Sequence, residues 1–166
     1  MIYHIGLGSN CGDREGNIYR ALDSMKGEGL RLRRISSLYK TQPVDFIDQR
    51  EFYNLAAEIE CDQKPEKFLN LIKELECRIG RTHSFPKGPR VIDIDILLAE
   101  DLVVSRNDLQ IPHPRMTHRN FVLVPLSEIA SEVVHPVLKQ SIASLLHKTP
   151  DVSRVEPVNT EEEHVV

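Results

Sequence analysis

The spacing of apolar residues predicts a strand, a loop and a helix at the start of the chain. Residues 2–7 alternate in the manner typical of a strand. The polar run Gly8–Asp13 then predicts a loop in which the glycines supply unusual backbone angles. From Arg14 to Lys26 the apolar residues recur at helical spacing behind a suitable N-cap at Asp13, so this segment is predicted to be a helix.

Two more strands and a second helix follow in the pattern. An irregular strand is predicted from about Leu30 to Thr41. The next strand is predicted over Phe52–Ile59, and because side chains alternate along a strand, one of its faces would carry Phe52, Asn54 and Ala56. A helical stripe of apolar residues then lies between Pro65, which suits a first helical turn, and Gly80, which suits a C-cap.

A further strand is predicted over Gly88–Leu98, where β-branched and apolar residues surround two acids at alternate positions. The resulting order βαββαβ is typical of the α+β class, specifically a ferredoxin-like sandwich with an antiparallel four-stranded sheet backed by two helices. We expect the other face of that sheet to be free for a ligand. A short strand at Leu102–Val104 and a C-terminal layer of loops and helices over residues 108–149 would complete the fold.

Composition restricts the classes of function. The 166 residues suit one domain, predicted over residues 1–150, and the acidic segment Asp151–Val166 predicts a flexible tail. The net charge of -4 gives no basic surface for nucleic acid. The chain shows neither a signal peptide nor an apolar run long enough to cross a membrane. Its three cysteines, odd in number and without a CxxC pair, predict reduced thiols and a cytoplasmic protein.

Asp93 and Asp95 are the most informative residues of the chain. On a strand they would project from the same face, where two carboxylates repel each other unless a cation lies between them. We expect this cation to be Mg²⁺ brought in by a phosphate substrate, with Arg90 as an additional bidentate phosphate donor. The alternative is a solvated strand face whose acids pair with nearby arginines or lysines.

Basic residues gather around this acidic strand, although the sequence contains no glycine-rich phosphate loop. Phosphate would therefore be held by side chains and metal, since Arg and Mg²⁺ can together neutralise transferring phosphoryl oxygens. The alternative is a set of solvated surface charges. The basic residues are Arg81, His83, Lys87, Arg90, His113, Arg115, His118 and Arg119.

Two aromatic residues and an amide form a second group of candidates. Phe52 and Asn54 share a predicted strand face, and Phe121 follows later in the chain. Two rings would stack on a flat heterocycle while the amide reads its edge. Taken singly, each aromatic residue is more typical of a hydrophobic core.

Several short segments, in the same order along the chain, resemble those of a known family. They are Gly6–Asn10, Tyr39–Pro43, Phe52–Asn54, Gly80–Arg81, Gly88–Leu97, Ile111–Pro114 and Arg119–Leu123. Together they resemble 6-hydroxymethyl-7,8-dihydropterin pyrophosphokinase of folate biosynthesis. The resemblance runs from about residue 2 to about residue 136.

This resemblance implies transfer of an intact pyrophosphoryl group from ATP to the hydroxymethyl oxygen of a reduced pterin, leaving AMP. It implies that Asp93 and Asp95 hold two Mg²⁺ ions and act in catalysis with Arg81 and Arg90. The implied pterin contacts are Thr41, Gln42, Val44, Phe52, Asn54 and Phe121. The implied ATP contacts are Arg81, Lys87, Arg90, Gln110, His113 and Arg119.

The sequence departs from the family pattern in one ATP-facing loop. Members often carry a second arginine where His83 stands, and a basic-aromatic pair where Pro86 and Lys87 stand.

Two other classes of protein remain as alternatives. A nucleotidyltransferase or cyclase with a palm-like sheet would release pyrophosphate, and a ligand-sensing module would show no Mg²⁺-dependent nucleotide binding. The expected partners are small-molecule substrates, and a monomer is predicted.

Overall fold

An antiparallel sheet forms the centre of the protein. The computed structural model describes residues 1–43, 48–80 and 89–159. Its strands are β1 (Ile2–Ser9), β2 (Arg31–Ile35), β3 (Tyr39–Thr41), β4 (Phe52–Glu60), β5 (Asp93–Ala99), β6 (Val104–Ser105), β7 (Gln110–Ile111) and β8 (Val155–Pro157). The main sheet has the order β5-β1-β4-β3-β8, with β2 also paired to β4, while β6 and β7 form a separate two-stranded sheet.

Four α-helices surround this sheet within the described residues. They are α1 (Arg14–Gly27), α2 (Pro65–Ile79), α3 (Asn120–Ala130) and α4 (Ile142–Lys148). The predicted caps are confirmed: Asp13 accepts a hydrogen bond from the Gly16 N–H, and Gly80 ends α2 with a positive φ of 108°. Over the same described ranges, no helix combines the length and the apolar composition that a bilayer crossing requires.

Hydrophobic clusters pack on both faces of the sheet. Tyr3, Ile5 and Leu7 of β1 belong to a core cluster that also includes residues of α1 and α2. On the opposite face, Leu97 and Ala56 pack in a second cluster with α3 and α4. The prediction that this second face is free was therefore wrong in part. The physical reason is the apolar character of α3. Six of its eleven residues are buried, and such a helix has to pack its apolar side against another element, here the sheet.

Other predicted boundaries in the strands also differ, and the acidic strand itself begins at Asp93. The irregular second strand is two strands, β2 and β3, which both pair with β4. The short strand predicted at Leu102–Val104 begins at Val104 instead and pairs with β7. Gly8 lies inside β1 rather than in the following loop, and it pairs with Asn54 on one side and Asp93 on the other.

The C-terminal segment, predicted to be a flexible tail, contains regular structure and hydrogen bonds within residues 151–159. Residues 155–157 form β8, which pairs with β3 and so covers the hydrogen-bonding edge of that strand. Backbone hydrogen bonding along a free sheet edge carries no signature in amino-acid composition. Residues 160–166, including the three consecutive glutamates, lie outside the described residues.

Candidate active site

A cleft of about 440 Å³ opens on the sheet face opposite α1 and α2. Gly6 and Gly8 of β1 form part of its floor, so the main chain of the central strand faces the cavity directly. The cleft brings together residues from the sheet, from α3 and from the segments before β5 and after β7. Its lining residues from the candidate set are Thr41, Gln42, Phe52, Asn54, Arg90, Asp93, Asp95, His113, Arg115, Arg119 and Phe121.

The two acids of β5 both line this cleft and are half-buried. Asp93 pairs with Gly8 and Asp95 with Gly6, so both carboxylates project over the glycine floor. Beyond them the pairing with β1 shifts register between His4 and Ile5, and Leu97 becomes the extra residue on β5. The Leu97 carbonyl accepts a hydrogen bond of 2.9 Å from the His113 N–H. This bond ties the acidic strand to the segment that carries His113.

Asn54 is fixed in the aromatic part of the cleft. It is 7% exposed, and its Nδ2 donates a hydrogen bond of 2.6 Å to Thr41 Oγ1. Its Oδ1 lies so close to Gly8 that a β-carbon on Gly8 would be 2.5 Å away. The absence of a side chain at Gly8 therefore makes room for the amide. Phe52 lies beside the same glycine, two residues before Asn54 on β4.

Phe121 reaches the cleft from the first turn of α3. The Arg119 guanidinium carbon lies 5.4 Å from the centre of the Phe121 ring, a cation–π distance. The helix start thus presents one cationic and one aromatic side chain to the cavity. Both residues were predicted from the sequence to lie at the site, and the structure brings them to the same cleft as Asp93 and Asp95.

His113 is held in its neutral form at neutral pH. Burial, together with Arg119 and Arg115, lowers its pKa from 6.5 to about 4, against an opposing effect of Asp93. Its Nδ1 accepts a hydrogen bond of 3.2 Å from the Arg115 N–H. In a neutral imidazole the proton then resides on Nε2, so the ring presents an N–H donor there.

Gln110 lies in a neighbouring cavity rather than in the main cleft. This second cavity has a volume of about 250 Å³, and it shares Asp95, His113 and Pro114 with the cleft. The acid and the histidine therefore stand at the boundary between the two cavities. The cis Ile111–Pro112 peptide bond lies in the segment between Gln110 and His113.

Asn10 links two segments of the cleft, a role that the sequence did not reveal. Its amide is 2% exposed and donates from Nδ2 to Gln49 Oε1 at 2.9 Å and to the Arg50 carbonyl at 3.1 Å. Its Oδ1 accepts from the Arg90 N–H at 2.7 Å, and its own N–H donates to the Arg90 carbonyl. Its signal in the sequence is weak, a single asparagine within the predicted loop Gly8–Asp13.

Four candidate residues fall in segments that the structure does not describe. These are Val44, Arg81, His83 and Lys87. Their predicted contacts with substrates therefore stay predictions. Of the remaining basic candidates, Arg115 lines the cleft together with Arg90, His113 and Arg119.

The acids of the cleft suit a metal ion that arrives with its own phosphate ligands. Within residues 1–43, 48–80 and 89–159, no three His, Cys, Asp or Glu side chains form a metal-binding group. Mg²⁺ is commonly bound by one or two carboxylates plus substrate phosphates and water, rather than by a cage of protein ligands. Asp93 and Asp95 match that type of site in number and in donor chemistry.

The fold and the cleft define a small α+β protein whose cleft is lined by an acidic pair, a basic group, and an aromatic and amide group. Comparison with known families identifies the family to which this protein belongs. The model of the family described as 7,8-dihydro-6-hydroxymethylpterin-pyrophosphokinase (HPPK) matches residues 4–131. The chain belongs to this family.

Individual relatives support the assignment along most of the chain. It is 41% identical over 133 residues to the 2-amino-4-hydroxy-6-hydroxymethyldihydropteridine pyrophosphokinase of Bacillus subtilis, covering 80% of each protein. The enzyme of the same description in Aquifex aeolicus is 37% identical, with 84% of this chain and 86% of that protein covered. Folic acid synthesis protein FOL1 of Dictyostelium discoideum is 40% identical over 82% of this chain, which spans only 21% of that longer relative.

A solved structure supports the fold. The chain superposes on Plasmodium falciparum HPPK-DHPS with a TM-score of 0.71 and 19% identity, covering 89% of this chain and 42% of the other. At that identity the match speaks for the arrangement of helices and strands alone. The antiparallel sheet with its helices is thus shared with a known member of the family.

Proposed function

We propose that this protein transfers pyrophosphate from ATP to the hydroxymethyl group of 6-hydroxymethyl-7,8-dihydropterin, giving AMP and the pterin diphosphate. The reaction would be Mg²⁺-dependent and would serve tetrahydrofolate synthesis. Membership of the family and the activity for which the Bacillus and Aquifex relatives are named support this proposal.

One observation in the structure carries the proposal. The acidic pair Asp93 and Asp95 lies in one cleft with a basic group and with an aromatic and amide group. Such a cavity offers separate recognition for a polyphosphate and for a flat heterocycle, with the acids as part of the same lining. A pterin would use the aromatic and amide group, and the triphosphate of ATP would use the basic group and the acids.

On the pterin side, each residue has a role suited to its position. Phe52 and Phe121 would stack on the ring faces, and ring stacking contributes roughly 0.5–1.5 kcal/mol beyond the burial of area. Asn54 would hydrogen-bond the ring edge, held in orientation by Thr41. Gln42 also lines the cleft and is exposed to its opening.

On the nucleotide side, Arg90 and Arg119 would bind phosphate oxygens through their planar guanidinium groups. His113, neutral at pH 7, would donate from Nε2 without adding charge. Gln110 would contact the nucleotide from the second cavity. Arg81 and Lys87 are proposed as further phosphate contacts from the sequence alone.

Asp93 and Asp95 would hold the two Mg²⁺ ions that arrive with ATP. When bound there, the metal supplies charge neutralisation for the phosphate oxygens and orients them. The bond that forms joins the pterin hydroxyl oxygen to the β-phosphorus, and the bond that breaks joins the β-phosphorus to the oxygen retained by AMP. The residues of the chain would contribute binding, orientation and exclusion of water.

The proposal is tested by incubating the protein with ATP, Mg²⁺ and the hydroxymethyl dihydropterin and identifying the products. We expect AMP and a diphosphorylated pterin in equal amounts. The Asp95→Ala variant should lose AMP formation while keeping the wild-type fold by circular dichroism. Asp101→Asn, an exposed acid just after β5, is the matched control and should retain activity.

The products also separate the proposed reaction from its rivals. Pyrophosphate in place of AMP would indicate a nucleotidyltransferase or cyclase, and near-normal turnover by Asp95→Ala would refute the assigned role of the acids.

Within the proposal, the strand order β5-β1-β4-β3 supports a ferredoxin-like core. The monomeric state and cytoplasmic location stay predictions.

A further inference from the structure

The C-terminal segment contacts both walls of the proposed pterin site. This segment, Asp151–Pro157, is called the C-terminal brace below. At one end, its strand β8 pairs with β3 so that Val155 is opposite Thr41, which lines the cleft. At the other end, Asp151 reaches Asn120, the residue immediately before Phe121.

Asp151 caps helix α3 from outside the helix. Its Oδ2 accepts a hydrogen bond of 2.7 Å from the Asn120 N–H, the first helical N–H of α3. Arg119, at the N-cap position, makes no side-chain capping hydrogen bond. The carboxylate therefore satisfies a donor that the helix itself cannot, and it places negative charge at the positive end of the helix dipole.

The contact is reciprocal and locally reinforced. Asn120 Nδ2 donates to the carbonyl of Asp151 at 2.8 Å and to that of Ser153 at 3.2 Å. Asp151 Oδ1 accepts from the Ser153 N–H at 2.8 Å and also from the Ser153 hydroxyl. Burial alone would raise the pKa of Asp151, but the hydrogen bonds from Ser153 and Asn120 outweigh burial and lower it.

We propose that Asp151 is a positioning residue for the pterin side of the cleft. By capping α3 it fixes the first helical turn and hence the Phe121 ring, while β8 holds Thr41 on the facing wall. Asp151 lies beyond residues 4–131, the part of the chain that the family model matches, so this role belongs to the C-terminal segment of this chain. The inference rests on the proposed function for the identity of the substrate.

The test compares steady-state kinetics of wild type, Asp151→Ala and Glu156→Gln. Glu156 is the matched control because it is an exposed acid of the same brace that pairs only weakly with the exposed Arg154 at 3.5 Å. Loss of the cap should raise the KM for the pterin by about 5- to 30-fold, the factor that corresponds to one lost helix cap. The KM for ATP should rise by a smaller factor, because Arg119 adjoins the start of α3 whereas the other proposed nucleotide contacts Arg90 and His113 lie on separate segments.

A second variant and a second readout keep the two proposals separable. Asp151→Asn retains one acceptor at the same volume and should show an intermediate pterin KM, which also serves if Asp151→Ala fails to fold. Amide hydrogen exchange of residues 120–123, without substrate, should be faster in Asp151→Ala than in Glu156→Gln.

The possible outcomes are distinct. Wild-type protein that forms no AMP overturns the proposed function, and hydrogen exchange alone then decides whether Asp151 holds the start of α3. With an active wild type, an unchanged pterin KM in Asp151→Ala overturns the inference. A parallel rise in the KM of both substrates also overturns it, because that result indicates a general loss of structure.

Discussion

Substitution of Gly8 by alanine should weaken pterin binding by displacing Asn54, the amide beside Gly8 in the cleft. A methyl group at Gly8 would lie 2.5 Å from Asn54 Oδ1, a distance at which one of the two groups has to move. Asn54 is buried and tied to Thr41 Oγ1 at 2.6 Å, so its amide cannot turn away without breaking that hydrogen bond.

The size of the effect follows from the two ways in which the clash can be relieved. Shifting the backbone in a packed region typically costs about 1–3 kcal/mol. Leaving the buried amide or hydroxyl unpaired costs about 1–3 kcal/mol as well. Both costs arise in the free protein and lower its free energy of unfolding. The pterin dissociation constant should rise by about 2- to 12-fold, which corresponds to the loss of one hydrogen bond from Asn54 worth about 0.5–1.5 kcal/mol.

Gly6→Ala is the matched control for this experiment. Both glycines line the cleft on β1, but a methyl group at Gly6 would meet Leu97 Cδ1 at 3.6 Å, an ordinary contact. Isothermal titration calorimetry with the hydroxymethyl pterin should therefore show a much larger loss for Gly8→Ala than for Gly6→Ala. Equal losses in the two variants would refute the argument, because they would show that any methyl group on the floor has the same effect.

Two further predictions concern His113 and Asn10. The pKa of His113 is lower in the folded protein than its ordinary value, so the metal-free wild type should lose unfolding free energy relative to His113→Gln as the pH falls from 6.5 towards 4. Above pH 6.5 the unfolding free energies of the two proteins should change with pH in the same way. A difference in unfolding free energy that is the same at every pH, measured by urea denaturation, would contradict this. Asn10→Asp keeps the acceptor for the Arg90 N–H but replaces the donor to Gln49 with an oxygen, so we expect a stability loss of about 1–3 kcal/mol and a lower kcat/KM. The control Asn70→Asp, at an exposed position, should change neither quantity. An Asn10→Asp variant as active as wild type would exclude the linking role.

Local signals in the sequence predicted α1, β4 and α2, three elements of the N-terminal half. The cap at Asp13 and the C-cap at Gly80 are decided by a few neighbouring residues, and both predictions are confirmed. Alternation along β4 also placed Phe52 and Asn54 on one face, and both line the cleft. These features depend on interactions within a few residues, which an amino-acid pattern records directly.

The features that the sequence did not predict depend on distant parts of the chain. The coverage of the second sheet face by α3, and the pairing of β8 with β3, join segments that are far apart in sequence. The role of Asn10 is of the same kind, because its amide partners are some 40 and 80 residues away along the chain. A composition that is polar and acidic could not distinguish a segment docked by backbone hydrogen bonds from a free one.

The hydrogen bonding of Asn10 has a consequence for how the two substrates affect each other. Both N–H donors and the oxygen of its amide are used, so the main chain at Arg90 cannot move relative to Gln49 without breaking one of these part-buried hydrogen bonds. A ligand that fixes Arg90 from the nucleotide side thereby also favours one arrangement of the segment at residues 48–50. By thermodynamic reciprocity, any factor by which ATP tightens pterin binding through this amide is the factor by which the pterin tightens ATP binding.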